Sequence, residues 1–528
     1  MTDISASHDV IIIGAGHNGL VCANYLARAG KRVLVLEAAA QTGGLAASRQ
    51  LDGGFQCAVP HSLPQLQKKL VDDLKLTDFG FRLPDTTLPT VALNPDGKHI
   101  TITADQLCGA SDADTLAYGE FTRLLNRFAK AIEPFWYKSP PRIGSGNWAD
   151  TLSLGQFGLN LRLLGKQDMA EFMRMIALPA QDLTDEFFDS DLLKAALSWD
   201  FVIGNKLAPR SPNNAVLNQL LKLSGDLAGN NRYHTGAVTL FPGGANSLIR
   251  AMEQSAQAAG AEILCNASVK RVLMQDQTAV GVELDDGRTY KAHHIVSNAD
   301  PKTSFFKLLG ARHLPIQFAH RIRRNRNRGM VGKLHLGLKN LPHFNQLNNA
   351  NGRLLIAPSR EYIESAFDQA KYGEVSDQLA MEIVIPTLQD PSLAPTGHHL
   401  LSAHVQYLPY DIKGGWEEHK PRVLESLLNT LQQYAPTIRE SIVSAELLTP
   451  KDLEQEYRVD GGHWHHGEFC IDQWWVNRPT YGASQYTTPV TGFYLCGAGS
   501  HPGGGIMGAA GHNCAQQILN TGKGAATP

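Results

Sequence analysis

The chain has 528 residues, of which 43% are hydrophobic, and this length predicts two domains rather than one. A formal net charge of −2 gives no support for nucleic-acid binding. No stretch of about 18 residues is apolar enough to span a membrane, and residues 1–8 are polar and do not resemble a presequence. The seven cysteines form no C-x-x-C pair. We therefore expect a cytoplasmic protein without a dithiol redox centre.

The first motif is a strand followed by a glycine-rich turn. Residues 10–13 form a short apolar run that is typical of a parallel strand buried on both faces. The run leads into the sequence Gly14-Ala-Gly16-His-Asn-Gly19. In a dinucleotide-binding motif the first glycine permits the tight turn, the second lets the backbone approach a phosphate, and the third lets the helix pack on the strand.

The elements after this turn complete the unit. A helix is predicted over 18–29, with Gly30 at its C-terminal cap. A second strand over 31–36 ends at Glu37, whose carboxylate can accept hydrogen bonds from an adenosine ribose. The N–H groups and the dipole of the helix favour phosphates at its N-terminus. This order of elements predicts dinucleotide binding; the alternative is a structural glycine turn.

A second glycine-rich signature lies at the other end of the chain. It begins with a strand at Leu495-Cys-Gly497 and reaches a helix start through Gly503-Gly-Gly505-Ile-Met507-Gly508. Residues 479–522 around it contain no Asp, Glu, Lys or Arg, which predicts burial against a large ligand. A flavin dinucleotide is long enough to need both signatures. No second G-x-G-x-x-G follows a strand, so no separate nicotinamide domain is predicted.

Further motifs carry a family resemblance. Gly43-Gly44, just past the ribose acid, resembles the second phosphate loop of two-domain flavoproteins of the amine oxidase and phytoene desaturase type. Those proteins often have Arg next, whereas this chain has Leu45, which leaves the contact to backbone N–H groups. Other matching motifs are 385–397, 461–468, Arg478-Pro479 and 501–511. Together they span nearly the whole chain, which therefore resembles the phytoene desaturase-like FAD-dependent oxidoreductases.

The resemblance implies non-covalent FAD in an extended pose. The N–H groups at the second helix start are then expected to stabilise the anionic reduced flavin. The backbone of Val269 would contact adenine. The ADP half is assigned to Gly14, Gly16, Gly19, Glu37, Gly43, Gly44 and Leu45, and the ribityl chain and flavin to Gly497, Gly505, Ile506 and Met507.

The fold class predicted is α/β: a Rossmann-like FAD-binding domain of the amine oxidase/phytoene desaturase type with an inserted α+β substrate domain. The FAD-binding domain is assigned to 1–60, 236–305 and 455–528, and the substrate-binding domain to 61–235 and 306–454.

Local patterns predict the elements inside these segments. The first insert is expected to be mostly helical, because apolar residues recur at helical spacing around Phe121 to Ile132. The second insert is expected to mix helices with strands over 332–338, 380–385 and 399–407. The sequence Asp285-Asp-Gly287 predicts a hairpin.

Two histidines are candidate catalytic residues. His466 closes the run His463-Trp-His-His466, and His501 lies in the turn before the C-terminal helix. Either side chain could contact flavin or substrate, and a structural role is the alternative for both. No metal site is predicted in the run, because on a strand His463 and His465 share one face while His466 points away.

Two other groups allow two interpretations each. Trp474, Trp475 and Tyr481 either line an apolar pocket or belong to the core. The basic run from Arg321 to Arg328 is either a solvated face or a contact for anionic lipid headgroups at a membrane surface.

These patterns predict an FAD-dependent oxidoreductase that transfers hydride between a substrate carbon and flavin N5. By resemblance, the substrate is a small apolar, unsaturated molecule such as an isoprenoid or a polyene, and the reaction is desaturation, saturation or isomerisation. Since the flavin supplies the difficult chemistry, few protein groups are obligatory. A flavin amine oxidase, and an FAD-bound protein that acts mainly through protein partners, are the open alternatives.

Overall fold

The computed structural model describes residues 8–63, 65–83, 87–103, 106–212, 215–223, 240 and 243–524. The strands are β1 (His8–Ile13), β2 (Val33–Leu36), β3 (Arg49–Leu51), β4 (Phe55–Cys57), β5 (Thr90–Ala92), β6 (Ile100–Ile102), β7 (Leu107–Cys108), β8 (Glu262–Leu264), β9 (Val269–Gln275), β10 (Thr278–Leu284), β11 (Thr289–Ser297), β12 (Val331–Leu338), β13 (Arg353–Ile356), β14 (Met381–Val384), β15 (His399–Gln406), β16 (Ile442–Leu448) and β17 (Phe493–Leu495). The α-helices are α1 (His17–Arg28), α2 (Lys68–Asp73), α3 (Asp112–Ile132), α4 (Trp148–Arg162), α5 (Lys166–Met175), α6 (Ala180–Phe187), α7 (Asp191–Val202), α8 (Ala215–Lys222), α9 (Gly244–Ala258), α10 (Ile316–Arg324), α11 (Arg360–Lys371), α12 (Trp416–Tyr434), α13 (Ile438–Ser441), α14 (Pro450–Tyr457) and α15 (Ala509–Gly524).

The first sheet is built on parallel strands in the order β8-β2-β1-β11-β17. The start of β11 also pairs antiparallel with β10, and β10 with β9. Alternate residues of β1 enter two separate cores. Val10 and Ile12 pack with residues of α1, α9 and α15, whereas Ile11 and Ile13 pack with Phe305 and β9–β11 residues. This architecture confirms the predicted Rossmann-like fold.

The parallel strands place three predicted motifs, and one residue that the motifs did not include, at one edge of the first sheet. β1 leads into Gly14, β2 into Glu37, β11 into Asn298 and β17 into Gly497. In open α/β sheets, ligands bind beyond the carboxyl ends of parallel strands. The edge that carries these turns is therefore where a nucleotide is expected.

The second sheet has the order β16-β12-β15-β14-β13-β5-β6-β7 and packs against helices of the two inserts. The strands predicted over 332–338, 380–385 and 399–407 are confirmed as β12, β14 and β15. The described part of the first insert is mostly helical, as predicted, and it also contains the short strands β5, β6 and β7. These strands have two or three residues each, too few to show a period of two.

The helical expectation holds for α3, whose Phe121 and Phe128 are fully buried. The hairpin between β10 and β11 is also confirmed, with Gly287 at φ +86°. The residue bounds of the two domains stay a prediction. The expected opening of the second FAD segment, including Phe241 and Pro242, lies outside the described residues. Within the described part of the chain, no helix has the length and apolar character needed to cross a membrane.

The basic run lies on and just after α10. Arg321 lies 5.7 Å from the ring centre of Tyr481, which is 55% exposed. Arg326 forms ion pairs with Glu468 and Asp472 and therefore joins α10 to the 468–472 segment. A contact of this run with anionic lipid stays a prediction.

Candidate active site

One long cavity runs from the edge of the first sheet to the face of the second sheet. It encloses about 2070 Å³ of empty space, part of which opens to solvent. At one end lie the glycine turn of β1 and the Gly43-Gly44 turn. At the other end lie side chains from α7, α8 and the strands β13, β14 and β15. The same cavity can therefore hold a dinucleotide and a second molecule end to end.

The two N-terminal glycine turns touch each other. The N–H of Gly43 donates to the carbonyl of Ala15 at 2.9 Å, and Gly16 forms an isolated parallel bridge with Gly43. Gly16 is the N-cap of α1, and this cap makes no side-chain hydrogen bond; the first turn of the helix contains no acidic residue. The helix N-terminus therefore offers its N–H groups and positive dipole to an anion.

Glu37 is held in place by the backbone around it. Its Oε2 accepts from the N–H of Ala15 at 2.7 Å, and its Oε1 accepts from the N–H of Ala39 at 2.9 Å. The 266–269 segment is tied to the same strand end, since Ala267 donates its N–H to the Glu37 carbonyl at 2.8 Å. Glu37 and Val269 thus line the cavity side by side. Each carboxylate oxygen keeps lone pairs for a hydroxyl group of a ligand.

Asn298 joins the two glycine signatures, and the sequence motifs did not identify it as a site residue. Its Nδ2 donates to the carbonyl of Gly14 at 3.3 Å. A Cβ at Gly16 would lie 2.9 Å from that Nδ2, and a Cβ at Gly497 would lie 2.6 Å from the Asn298 carbonyl oxygen. The only available signal was its position directly after β11, at the same sheet edge as Gly14.

The C-terminal signature divides between lining and packing residues. Gly505, at φ +89°, and Ile506 line the cavity, and a Cβ at Gly505 would lie 2.7 Å from the Gln65 side chain. Met507 is buried, and its carbonyl accepts from the Tyr137 hydroxyl at 2.8 Å.

The predicted site residues fall into two groups. The cavity wall includes Gly14, Gly16, Glu37, Gly43, Gly44, Leu45, Val269, His466, Gly505 and Ile506. Four others pack behind this wall: Gly19, Gly497, His501 and Met507. Direct contact of these four residues with a cofactor stays a prediction.

The histidine run is a turn, so its interpretation as a strand is wrong. His466 donates its N–H to the carbonyl of His463 at 2.8 Å and has φ +57°. The turn directs His465 and His466 to the cavity, where the Nδ1 atom of each is buried without a partner among the described residues. His17 also lines the cavity, and its Nε2 is likewise buried without a partner among the described residues. Buried polar atoms of this kind normally have a hydrogen-bond partner, so they point to a ligand.

His501 makes a different set of contacts. Its Nε2 lies 2.8 Å from the carbonyl of Phe135, and its ring is 22° from parallel to that of Trp136. The Tyr486 hydroxyl donates to the His501 carbonyl at 2.9 Å. His501 therefore braces the turn that leads into Gly505.

The three aromatic candidates, Trp474, Trp475 and Tyr481, lie in different environments. Trp474 packs on Trp136, and Trp475 packs on Phe157 with ring centres 4.5 Å apart. Tyr481 is 55% exposed. These three residues do not line the cavity.

Arg478 organises the wall behind the histidines. It is 2% exposed, and burial lowers its pKa to about 10. Its guanidinium donates at 2.8–3.4 Å to the carbonyl oxygens of five residues: His465, Gly467, Glu468, Gln473 and Ala498. One side chain thus fixes the histidine turn against the segment that follows β17.

Replacing Arg478 with lysine is expected to lower the free energy of unfolding by about 2 kcal/mol or more. An ammonium has three donors and no planar fork, so at least two of the five carbonyls lose their charged partner, at ~1.5–3 kcal/mol for such a bond. Urea denaturation of R478K measures the loss. The exposed Arg324→Lys is the control and should be neutral; equal stability of the two variants would contradict this role of Arg478.

A cluster of charged residues forms the far wall of the cavity. We call Asp200, Lys222, Arg353, Glu382 and His404 the ionic wall; all five line the cavity. Arg353 pairs with both oxygens of Asp200 at 2.6 and 2.8 Å and with Glu382 at 3.4 Å. Lys222 binds Asp200 at 2.8 Å, and His404 lies 3.5 Å from Glu382.

Two residues behind the wall complete its network. His61 places Nε2 3.0 Å from Glu382, and Lys333 places Nζ 2.7 Å from His61 Nδ1. Both residues are almost fully buried. Burial lowers the pKa of Lys333 well below its ordinary value, which favours a neutral amine that can accept or donate a hydrogen bond. Despite its own burial, the pKa of Glu382 is well below its ordinary value because His404, His61 and Arg353 stabilise the carboxylate.

Two groups in the described residues bring three metal-binding atoms within 4.8 Å of one another: Cys57 with His335 and Glu446, and His61 with Glu382 and His404. The second group also contacts Lys333 and Arg353. An adjacent guanidinium opposes a cation electrostatically. Neither group includes the histidine turn.

Buried neutral histidines should make the protein sensitive to mild acid. Burial lowers the pKa values of His17, His404 and His501 from 6.5 to about 4. Between these values the unfolded chain binds protons that the folded chain does not bind, so stability decreases as the pH falls. We expect the free energy of unfolding to fall from about pH 6.5 to about pH 4, by ~3 kcal/mol per histidine.

Urea denaturation at a series of pH values measures this dependence. The variant His404→Gln removes one of the three groups, so its slope between pH 6.5 and pH 4 should be shallower than that of the natural chain. A free energy of unfolding that is constant from pH 7 to pH 5 would contradict the burial of these neutral rings.

The cavity fits the cofactor that the sequence motifs predict. The N-terminus of α1, which no side chain caps, can donate its N–H groups to a pyrophosphate. The Glu37 carboxylate can accept hydrogen bonds from a ribose. Buried and unpartnered atoms of His17 and Asn18 lie beside them. The family comparison agrees: the model of the flavin containing amine oxidoreductases matches residues 19–519. The chain belongs to this family of FAD-dependent oxidoreductases.

Individual relatives cover nearly the whole chain. Pyridine nucleotide-disulfide oxidoreductase domain-containing protein 2 of Rattus norvegicus is 32% identical over 98% of this chain and 94% of its own length. A component of the limonene dehydrogenase of Castellaniella defragrans is 26% identical over 97% and 94%. The structure of cyclohexylamine oxidase from Brevibacterium oxydans is similar with a TM-score of 0.58 and 16% identity over 98% of both chains. The resemblance predicted from the sequence motifs is confirmed.

Proposed function

We propose that the chain transfers hydride between a carbon of an unsaturated, largely apolar substrate and N5 of FAD. The reaction would desaturate, saturate or isomerise an isoprenoid or polyene-like chain. The observation that supports this most directly is the single cavity, which joins the glycine turns to the ionic wall without a break. The similarity to a limonene dehydrogenase component supports a terpenoid substrate.

FAD supplies the two-electron chemistry when bound. The chain supplies binding and orientation: the α1 N-terminus for phosphates, Glu37 for ribose, and the Gly505-Ile506 turn for the flavin end. His466 adds a neutral imidazole, since burial lowers its pKa. Its unpartnered Nδ1 can take or give a proton at the substrate. His501 braces the turn that leads into Gly505, because its Nε2 contacts the carbonyl of Phe135. It is therefore a positioning residue in this proposal.

The second candidate function is amine oxidation, which the name of the matching family favours. The two functions differ in the molecule that reduces the flavin. An FAD-bound protein that acts through protein partners would show no reduction by either class of substrate.

An anaerobic absorbance titration separates these functions. We expect the band near ~450 nm to bleach when an unsaturated isoprenoid such as limonene or geraniol is added. Cyclohexylamine is the comparison. The variant His466→Asn, which suits the positive φ of this residue, should bleach more slowly while keeping its flavin. Bleaching by the amine alone would favour amine oxidation, and no bleaching by any compound would contradict both desaturation and amine oxidation. Saturation is measured in the reverse direction, as recovery of the ~450 nm band when the isoprenoid is added to reduced flavin.

A further inference from the structure

The ionic wall is unusual for a cavity that takes a hydrocarbon. Asp200, Arg353 and Glu382 are buried, and Lys222 is partly buried, with 19% of its side chain exposed. A hydrocarbon placed against them would remove their remaining water and return no hydrogen bond, which is costly for ionised groups. The wall therefore constrains the chemistry of the substrate.

The acidic groups of the wall are already occupied. The two Asp200 oxygens accept from Arg353, and one of them also accepts from Lys222. One Glu382 oxygen lies 3.0 Å from His61, and the other accepts from the indole N–H of Trp199 at 2.8 Å. Asp200 Oδ2, which accepts one donor, keeps a lone pair, but Arg353 and Lys222 beside it oppose a substrate ammonium electrostatically.

In contrast, some hydrogen-bond donors that line the cavity have no partner among the described residues. Lys222 has three N–H donors and one partner, Asp200, among the described residues. The Nε1 of Trp464, which can only donate, is buried without a partner in the described part of the chain. Trp464 lines the cavity and packs its edge on His404 with ring centres 4.9 Å apart.

A further group with an unpartnered atom among the described residues is the amide of Gln219. This residue is 3% exposed, lines the cavity between Asn218 and Lys222, and leaves its Oε1 without a partner. The two ends of an amide exchange by a simple flip, so the group can donate or accept at this position. Gln219 lies on α8 with Lys222, and both face the cavity.

We infer that the substrate carries a carboxylate, which binds to Lys222 and the indole N–H of Trp464. This inference rests on the proposed function, because it describes the second molecule in the cavity beside FAD. The ligand is then an amphiphile: the carboxylate lies at the ionic wall, and the apolar chain extends toward His465, His466 and the flavin end.

The charge count opposes a phosphate or a diphosphate more strongly than a single carboxylate. Lys222 and Arg353 balance Asp200 and Glu382, and the rings of His404 and of His61 behind it are neutral because burial lowers their pKa values. A single negative charge beside Lys222 can accept from the Nζ donors that have no partner among the described residues. Several negative charges would remain without a buried partner.

Calorimetric titration of the FAD-bound protein with three matched isoprenoids tests this inference. Geranic acid, geraniol and geranylamine share one chain and differ in the head group. We expect geranic acid to bind about tenfold more tightly than the other two, as a charge-assisted hydrogen bond contributes. Lys222→Met should remove most of this preference, and Trp464→Phe should reduce it while keeping the ring that packs on His404.

The control is Lys206→Met, which removes an exposed lysine outside the cavity and should keep the preference. Equal affinity for acid and alcohol, no binding of any of the three, or an unchanged preference in Lys222→Met would overturn the inference. Calorimetry reports binding independently of flavin reduction. A protein that bleaches with geraniol but shows no carboxylate preference would therefore refute the inference and leave the proposed function intact.

Discussion

Replacing Gly19 with alanine is expected to give a folded protein that purifies without FAD. A Cβ at Gly19 would lie 2.2 Å from the carbonyl oxygen of Gly14, a backbone atom that cannot move aside. Helix α1 must then shift away from the turn after β1, and its N-terminus no longer meets the pyrophosphate. The ratio of absorbance near ~450 nm to protein absorbance measures the bound flavin. We expect at least a tenfold loss.

Gly155→Ala is a matched control for this variant. Gly155 lies inside α4, where a Cβ meets no atom within 4 Å and φ is not positive. Both substitutions replace glycine with alanine within a helix, so both gain helix propensity. Only Gly19→Ala should lose flavin, and far-UV circular dichroism should show helix content in both. Normal flavin content in Gly19→Ala would contradict the position of the phosphates at α1.

Arg353→Met is expected to lower the free energy of unfolding by about 3–5 kcal/mol, because it removes the buried cation that Asp200 and Glu382 share. Arg353 is 7% exposed and pairs with Asp200 and Glu382, which have almost no contact with water. Methionine fills much of the space of the arginine stem but provides no donor. Lys222 and His61 remain as partners and keep the fold intact at moderate pH. Guanidinium denaturation at pH 7.5 measures the difference.

The control for this variant is Arg210→Met. Arg210 pairs with Glu361, but both side chains are more than half exposed, so the pair contributes ~0–1 kcal/mol. An effect of Arg353→Met as small as that of Arg210→Met would show that the ionic wall is solvated. That result would also remove the physical basis for a carboxylate at Lys222.

The nucleotide end of the site could be predicted because its requirements are local. A tight turn, a close backbone approach and a helix start each fix one glycine within a few residues. The same kind of local requirement predicts Gly30, at φ +80° after α1, and Glu37 at the end of β2. Cofactor identity also needed the second signature, since a glycine turn alone occurs in many loops.

The ionic wall could not be predicted in the same way. Asp200, Arg353 and Glu382 come from α7, β13 and β14 and are far apart in sequence, so only the tertiary fold brings them together. A weaker signal was present. Lys333 and His404 lie in buried strands that the sequence did predict, and charged or polar residues in buried strands need partners.

The histidine turn shows why a strand was the wrong model for 463–466. The shape of the run depends on Arg478, which lies twelve residues beyond the turn and binds carbonyls within the turn and just after it. A contact of this kind carries no periodic signal. The same turn brings His465 and His466 to the cavity, which a strand would have separated onto two faces.

The most direct test of this account is an experimental structure of the purified protein with its bound cofactor. We expect the adenosine ribose to lie within hydrogen-bond distance of Glu37, and the isoalloxazine ring to lie beside Gly505 and His466. The remaining space should extend to Lys222 and Arg353. A flavin bound outside this cavity, or a cofactor that fills the cavity as far as the ionic wall and leaves no room for a substrate, would contradict it.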